Sequence, residues 1–373
     1  MMKPKYNNIL IDAVMHLGDL IHATTLIPLL KQQYPDARIS YLVKPELVDL
    51  FKNIDNSENR KIITFTFILI EYVIPYKYKS KGDYFSVFRM AKEIKKYNFD
   101  LSISLDPRLR LSAMMWLAGI PTRVGSESLF GWQAGTERFF FSDYFRLKDY
   151  DVKKHSAAEN FQYLVKLFTK NTDCLFYKPE FNKPLIKNLE YIKKEFANIP
   201  LEFIKIAMCV NTKDPLRNWP VEKFAYLIDQ ISKSNNAIVF ITGMKEDKIV
   251  ADQVISLVKN KARVINFCGK TNLDQLSAFF TNVDFLVHFD NGMGHFAAAA
   301  GCPTITLFSN SNPMQFKPIQ DNAMIVSCNY DCVKNCNKYL RKTCGKKCLN
   351  NISVEMVMEK VDMMIKKLMN RNV

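Results

Sequence analysis

Residues 285–303 read Phe-Leu-Val-His-Phe-Asp-Asn-Gly-Met-Gly-His-Phe-Ala-Ala-Ala-Ala-Gly-Cys-Pro. Residues 285–289 have the pattern of a strand. Residues 290–294 read as a tight glycine-containing turn, and residues 295–300 as a short helix ending at Gly301. A second strand pattern follows at 304–308. Strand, turn, helix and strand make a β-α-β unit, which calls for a parallel sheet covered by helices.

The same rhythm extends outward in both directions. Upstream, strand patterns lie at 204–210, 237–242 and 264–267, with helical spacing at 221–232, 246–259 and 272–282. Downstream, residues 354–369 form an amphipathic helix. The first half repeats the theme, with strands at 8–13, 37–43 and 100–104 and helices at 20–33, 46–53 and 110–117. Asp19 stands just before the first helix as a candidate N-cap. The apolar run 62–76 (IITFTFILIEYVIPY) is shorter than the ~20 residues of a membrane span and reads as buried strand. The polar, Pro-containing stretch 178–188 is the expected linker. The expectation is therefore two α/β halves, and in such sheets ligands bind at the carboxyl ends of the strands.

The chain has 373 residues, 48% of them hydrophobic and 24% charged, with a net charge of +15. Length and composition suit two globular domains. The positive balance calls for an anionic partner. It is spread over both halves, with no long basic arm or Arg-rich helix, which argues against a nucleic-acid-binding protein. The densest lysine runs, 77–81 and 334–347, suit either a solvated surface or an anionic membrane face. The N-terminus lacks the apolar core of a signal peptide, so the reading is cytoplasmic, with contact at the inner membrane face.

Three constellations carry chemistry. His16-Leu17-Gly18-Asp19 puts a carboxylate at a helix start on the ligand-binding edge, where it serves as general base or merely as cap. Asp290-Asn291-Gly292-Met293-Gly294-His295 sets two glycines, a helix N-terminus and a histidine where a diphosphate would fit; an Asp-capped turn is the plainer alternative. The loop 211–220, with Thr212, Lys213 and Arg217, offers cations to a phosphate. Glu246 begins a helix and could hold a ribose hydroxyl or complement the helix dipole. GxGxxG, P-loop, HExxH and GxSxG motifs are absent. Asp149-Tyr150-Asp151 reads as an exposed loop. Cys328, Cys332, Cys336, Cys344 and Cys348 are spaced for zinc, for disulfides or for neither.

Taken together, these pieces resemble the heptosyltransferase-type glycosyltransferases of lipopolysaccharide assembly, glycosyltransferase family 9. The likeness rests on ILIDAVMHLGDLIHATTLIP at 9–28, YPDARI at 34–39, LAGIPTRVG at 117–125, the 285–303 stretch, Leu307-Phe308 and Ile352-Ser353-Val354. It implies a GT-B fold: two Rossmann-like domains, residues 1–182 and 183–373, whose parallel sheets face a central cleft. The first would bind the acceptor and the second a nucleotide-sugar. Asp19 matches the family's catalytic base. Asp290, Gly292 and His295 match donor-binding positions, and Lys213, Arg217, Glu246 and Thr271 fall near others. Asn291 stands where Ser or Thr is usual, and Arg217 where Lys is usual.

The implied reaction is inverting and metal-independent, without a cofactor, moving a sugar from ADP-heptose or a related donor onto an anionic glycan or glycolipid. A sugar-nucleotide epimerase of the same fold is the rival enzyme reading.

Overall fold

The computed structural model describes residues 5–53, 85–106, 108–127, 129–130, 136–147, 149–171, 175–181, 183–212, 214–309, 311–327, 343–344 and 347–370. The apolar run 62–76, the lysine run 77–81, Lys213, and most of the segment 334–347 lie outside them. The chain divides into two compact units, Met1–Pro179 and Glu180–Val373.

In the first unit five parallel strands lie in the order β2-β1-β3-β4-β5. They are β1 (Asn8–Asp12), β2 (Arg38–Leu42), β3 (Leu101–Ser104), β4 (Thr122–Ser126) and β5 (Asp143–Phe145). β1 is buried along its whole length, as its apolar run requires of a strand covered on both faces. The helix Phe85–Lys95 and the helix Leu109–Leu117 bury Met90, Ile94, Met114 and Met115 against Leu10. The helix Ala157–Thr169 begins with a complete capping box, Ser156 and Glu159 satisfying each other's backbone N–H.

In the second unit six parallel strands run β11-β10-β9-β6-β7-β8. They are β6 (Ile204–Met208), β7 (Ala237–Ile241), β8 (Val264–Asn266), β9 (Phe285–Phe289), β10 (Thr304–Phe308) and β11 (Ala323–Ser327). One core cluster joins Trp219, Phe224, Ile228 and Phe289 to the closing helix Val354–Met369 through Val357 and Val361. Elsewhere in this unit Phe196, Phe240, Phe267 and Phe279 form an aromatic cluster, Phe196 and Phe240 stacking at 4.5 Å between centroids. Offset and edge contacts of this kind add ~0.5–1.5 kcal/mol per pair beyond area burial.

Four local expectations change. The helix expected over 20–33 is two helices, Leu17–Ala23 and Leu26–Gln33. The Thr24 and Thr25 hydroxyls bond back to the carbonyls of Ile21 and His22, each at 2.7 Å, and Pro28 cannot continue the preceding helix. Asp19 is not the N-cap: the helix starts at Leu17 with His16 in the cap position, and Asp19 lies in the first turn. The expected turn over 290–294 ends early, because a helix already begins at Gly292, capped by Asn291 rather than Asp290. The helix Ile186–Glu195 also begins inside the expected linker. β4, β5 and the helix Ala157–Thr169 are elements that the periodicity did not isolate.

Candidate functional site

In the second unit the chain leaves β6 toward β7 and β8, then returns to the opposite side of β6 for β9. This reversal makes the carboxyl ends of β6 and β9 a topological switch point, the usual ligand position in open α/β sheets. Arg217 reaches it from the loop after β6. Its Nη1 lies 3.6 Å from Asp290 Oδ2 and 3.5 Å from the Asp290 carbonyl oxygen. Its Nε lies 3.8 Å from Asp214 Oδ2. These separations are longer than those of a bidentate guanidinium–carboxylate pair, so donor capacity remains for an anion. Burial raises the Asp290 carboxyl above its ordinary pKa, while the Ser311 hydroxyl and Arg217 oppose that rise.

The Arg217 loop is anchored from below. Trp219, two residues on, is 1% exposed and donates its indole N–H to the Ile352 carbonyl at 3.0 Å. A row of amides secures the upper side. Asp247 Oδ1 accepts from Asn211 Nδ2 at 2.8 Å, Asn211 Oδ1 accepts from Asn218 Nδ2 at 2.5 Å, and Asn218 Oδ1 accepts from the Thr212 N–H at 2.8 Å. Asp247 Oδ2 takes the Met244 N–H at 2.7 Å, and a Cβ on Gly243 would meet that oxygen at 2.6 Å.

After β9 the backbone is extended at Asn291, whose Oδ1 accepts from the Met293 N–H at 3.1 Å. The amide therefore caps the helix Gly292–Ala299 as a hydroxyl would. The N–H groups and positive dipole end of that helix start beside Asp290, which suits an anion. His295 is buried one turn in, and burial lowers its pKa to about 4, so the ring is neutral and brings no charge to the site. Gly294 serves a neighbour: a Cβ there would overlap the His288 ring. Glu246 is exposed in the short helix Lys245–Asp247, and Thr271 is half-buried just after β8. The structure thus links Thr212, Arg217, Asp290, Asn291 and Gly292 around one strand reversal. Glu246 and Thr271 lie farther along the same edge.

In the first unit the corresponding reversal lies between β1 and β3, in the order β2-β1-β3. Asp19 is half-buried in the first turn of the helix that follows β1. Asp12 ends β1 and is a residue the motif reading passed over. It is 2% exposed and accepts from Ser104 Oγ at 3.3 Å, and burial raises its pKa to about 7. Its signal in the sequence is a single carboxylate closing an otherwise apolar strand.

Asp151 caps the short helix Val152–Lys154, consistent with an ordinary loop. Cys344 and Cys348 are half-buried, and Cys328, Cys332 and Cys336 lie outside the described residues. Among the described residues no group of three or more metal-ligating side chains forms.

The chain resembles several solved structures over nearly its whole length. One is a glycosyl transferase of family 9 from Veillonella parvula, with TM-score 0.78, 23% identity, and coverage of 98% of this chain and 99% of that one. Another is the ADP-heptose lipopolysaccharide heptosyltransferase II of Escherichia coli, with TM-score 0.72, 18% identity, and coverage of 96% and 99%. These likenesses establish the GT-B fold, two Rossmann-like units each with its own parallel sheet. In sequence, lipooligosaccharide heptosyltransferase 2 of Haemophilus influenzae is 25% identical over 332 residues, 86% of this chain and 88% of that protein. The profile of glycosyltransferase family 9 (heptosyltransferase) matches residues 87–347, a span that takes in the Arg217 loop, the Asp290 turn and the capped helix. With the fold and the profile in agreement over most of its length, the chain belongs to glycosyltransferase family 9 and is a glycosyltransferase.

Proposed function

We propose that this enzyme transfers heptose from ADP-heptose to a lipopolysaccharide-core acceptor, with inversion at the anomeric carbon and without a metal ion. The donor assignment draws on the Escherichia coli relative, which is described as an ADP-heptose enzyme. The acceptor assignment draws on the lipooligosaccharide and lipopolysaccharide heptosyltransferases among the sequence relatives. The observation that carries the reading is the Arg217–Asp290 pair beside the capped N-terminus of the helix Gly292–Ala299.

In this reading the second unit binds the donor and the first unit the acceptor. Asp19 removes the proton of an acceptor hydroxyl. The hydroxyl oxygen attacks the anomeric carbon as the bond to the diphosphate oxygen breaks, and the electron pair leaves with ADP. Arg217, with Lys213 four positions earlier in the sequence, and the N–H groups at Gly292 offset the charge that develops on the diphosphate. Thr212 and Asn291 hold the loop and the helix start. Glu246 and Thr271 sit along the edge where the nucleoside would lie. His295, kept neutral by burial, packs beneath the diphosphate.

A titration of the pure protein with a panel of nucleotide-sugars tests the donor, and NMR of the product tests the anomeric configuration. Tight binding of ADP-heptose and an inverted linkage are expected. Preference for a uridine or guanosine donor, or a retained configuration, overturns the assignment. Activity persisting in excess chelator is expected. Interconversion of the donor sugar in the absence of acceptor would mark an epimerase instead.

A further inference from the structure

β10 lies beside β9, with Leu307 opposite Phe289, and a hydrogen bond of 2.9 Å between the Thr306 hydroxyl and His288 Nε2 ties the two strands together. The segments that leave them therefore start side by side at the carboxyl edge. Asp290 follows β9 at once, its side chain 11% exposed, with Arg217 Nη1 at 3.6 Å. From the β10 side comes Ser311, whose hydroxyl stands near enough to the Asp290 carboxyl to favour its ionised form. Four residues on, Gln315 sits in the short helix Pro313–Phe316, where the Asn312 side chain caps the Met314 N–H at 3.1 Å. Ser311 and Gln315 are both buried, Gln315 only 3% exposed. Among the described residues neither Ser311 Oγ nor Gln315 Nε2 has a hydrogen-bond partner.

A buried hydroxyl or amide left without a partner is costly, so two of them on one ligand-binding edge call for a polar guest. The three groups define its chemistry. An ionised Asp290 only accepts, the Gln315 amide nitrogen only donates, and the Ser311 hydroxyl does either. A phosphate oxygen would be repelled by the carboxylate. A sugar hydroxyl can donate to Asp290 and accept from Gln315 or Ser311, so a neutral polyol satisfies all three. Arg217, on the other side of Asp290, is left for the diphosphate.

We propose that Ser311 and Gln315, together with Asp290, read the hydroxyl groups of the sugar carried by the nucleotide donor. This rests on the reading that the second unit binds a nucleotide-sugar, and adds which residues select the sugar. It does not depend on which nucleotide the donor carries.

The test compares, by calorimetric titration, affinity for the nucleotide-sugar that the parent prefers with affinity for the matching nucleotide diphosphate. In the double variant Ser311→Ala/Gln315→Leu the nucleotide-sugar should bind about tenfold or more weakly, the loss of one or two hydrogen bonds. Affinity for the bare nucleotide diphosphate should stay as in the parent. The melting temperature should hold or rise, because apolar groups replace buried polar ones that lack partners. Monodeoxy forms of the sugar locate the contact. The analogue lacking the contacted hydroxyl should bind the parent more weakly than the intact donor, and the double variant equally well.

Unchanged nucleotide-sugar affinity in the double variant overturns the proposal. So does an equal loss for the bare nucleotide diphosphate, which would assign the two residues to the phosphates. A lowered melting temperature with both affinities intact would assign them to packing. Where the double variant fails to fold, Ser311→Ala alone carries the same comparison. A parent that prefers a donor other than ADP-heptose overturns the donor assignment and leaves this comparison intact; a parent that binds no nucleotide-sugar overturns both.

Discussion

The imidazole of His288 occupies the space that a side chain on Gly294 would need. His288 lies on β9 and is 1% exposed, and Gly294 is in the first turn of the helix Gly292–Ala299 that follows β9. The ring is fixed at both nitrogens. A carbonyl can only accept, so Nδ1–H donates to the Phe289 carbonyl, and Nε2 accepts from the Thr306 hydroxyl at 2.9 Å. Burial lowers its pKa to about 3, which keeps it neutral. The glycine therefore sets how closely the helix N-terminus sits over the strand, and it is His288 rather than a ligand that approaches it.

Substituting Gly294→Ala should lift that first turn. Overpacking of this kind costs about 1–3 kcal/mol. The double variant His288→Ala/Gly294→Ala should recover part of the loss, because the overlapping ring is gone. Thermal melts and ADP titrations of the two variants check this. A Gly294→Ala protein as stable as the parent would show that the contact is not limiting.

Arg217→Ala should weaken nucleotide-diphosphate binding by roughly 10- to 100-fold, since a charge-assisted hydrogen bond is worth ~1.5–3 kcal/mol. Arg217→Lys should retain part of the affinity, as a point charge without the fork. Calorimetric titration with ADP gives both numbers. Unchanged affinity in Arg217→Ala would remove the loop from the donor site.

Asp19→Asn should lower kcat by about 10²- to 10⁴-fold, the usual contribution of a positioned base. Donor affinity should not change. Steady-state kinetics together with ADP binding separates the two effects, and normal turnover would disqualify Asp19 as the base.

The buried titratable groups give stability a shaped pH profile. His288 and His295, lowered to about 3 and about 4, stay neutral in the fold but protonate in the unfolded chain below its ordinary pKa near 6.5. The stability they contribute is present above about pH 6.5 and is lost as pH falls toward about 4. Asp12, raised to about 7, acts oppositely: its contribution is present at low pH and is lost as pH rises through about 7. Between pH ~4 and ~6.5 two histidines outweigh one carboxyl, so stability should rise with pH, then dip slightly near pH 7. Asp12→Asn should abolish the dip. Guanidinium unfolding across pH 4–9 measures both slopes, and a dip that persists in Asp12→Asn would assign it to another group.

Much of the fold can be read from local pattern. Apolar runs of strand length alternating with helical spacing identified the sheets of both units, and β9 and β10 fall where the sequence places them. The reason is that burial on both faces imposes an apolar run on each strand, and one buried face imposes a 3.6-residue period on each helix. Short marginal strands such as β4 and β5 escaped, because Thr122–Ser126 contains Arg123 and Gly125 and carries no clear period. Helix boundaries moved for a similar reason: whether Thr24 and Thr25 bond back to the preceding turn depends on hydroxyl geometry rather than residue type.

The candidate site divides along the same line. Sequence alone determined that Asp19, Arg217 and the Asp290–His295 segment follow strands, because motif and strand pattern are contiguous in the chain. Only the tertiary structure decided their partners. Arg217 meets Asp290 across 73 positions, Asp12 meets Ser104 across 92, and Asn211 meets Asp247 across 36. Such pairings arise from strand order, which places β6 between β7 and β9 and β1 beside β3. A parallel sheet brings distant carboxyl ends to one edge, and no local pattern encodes which ends become neighbours.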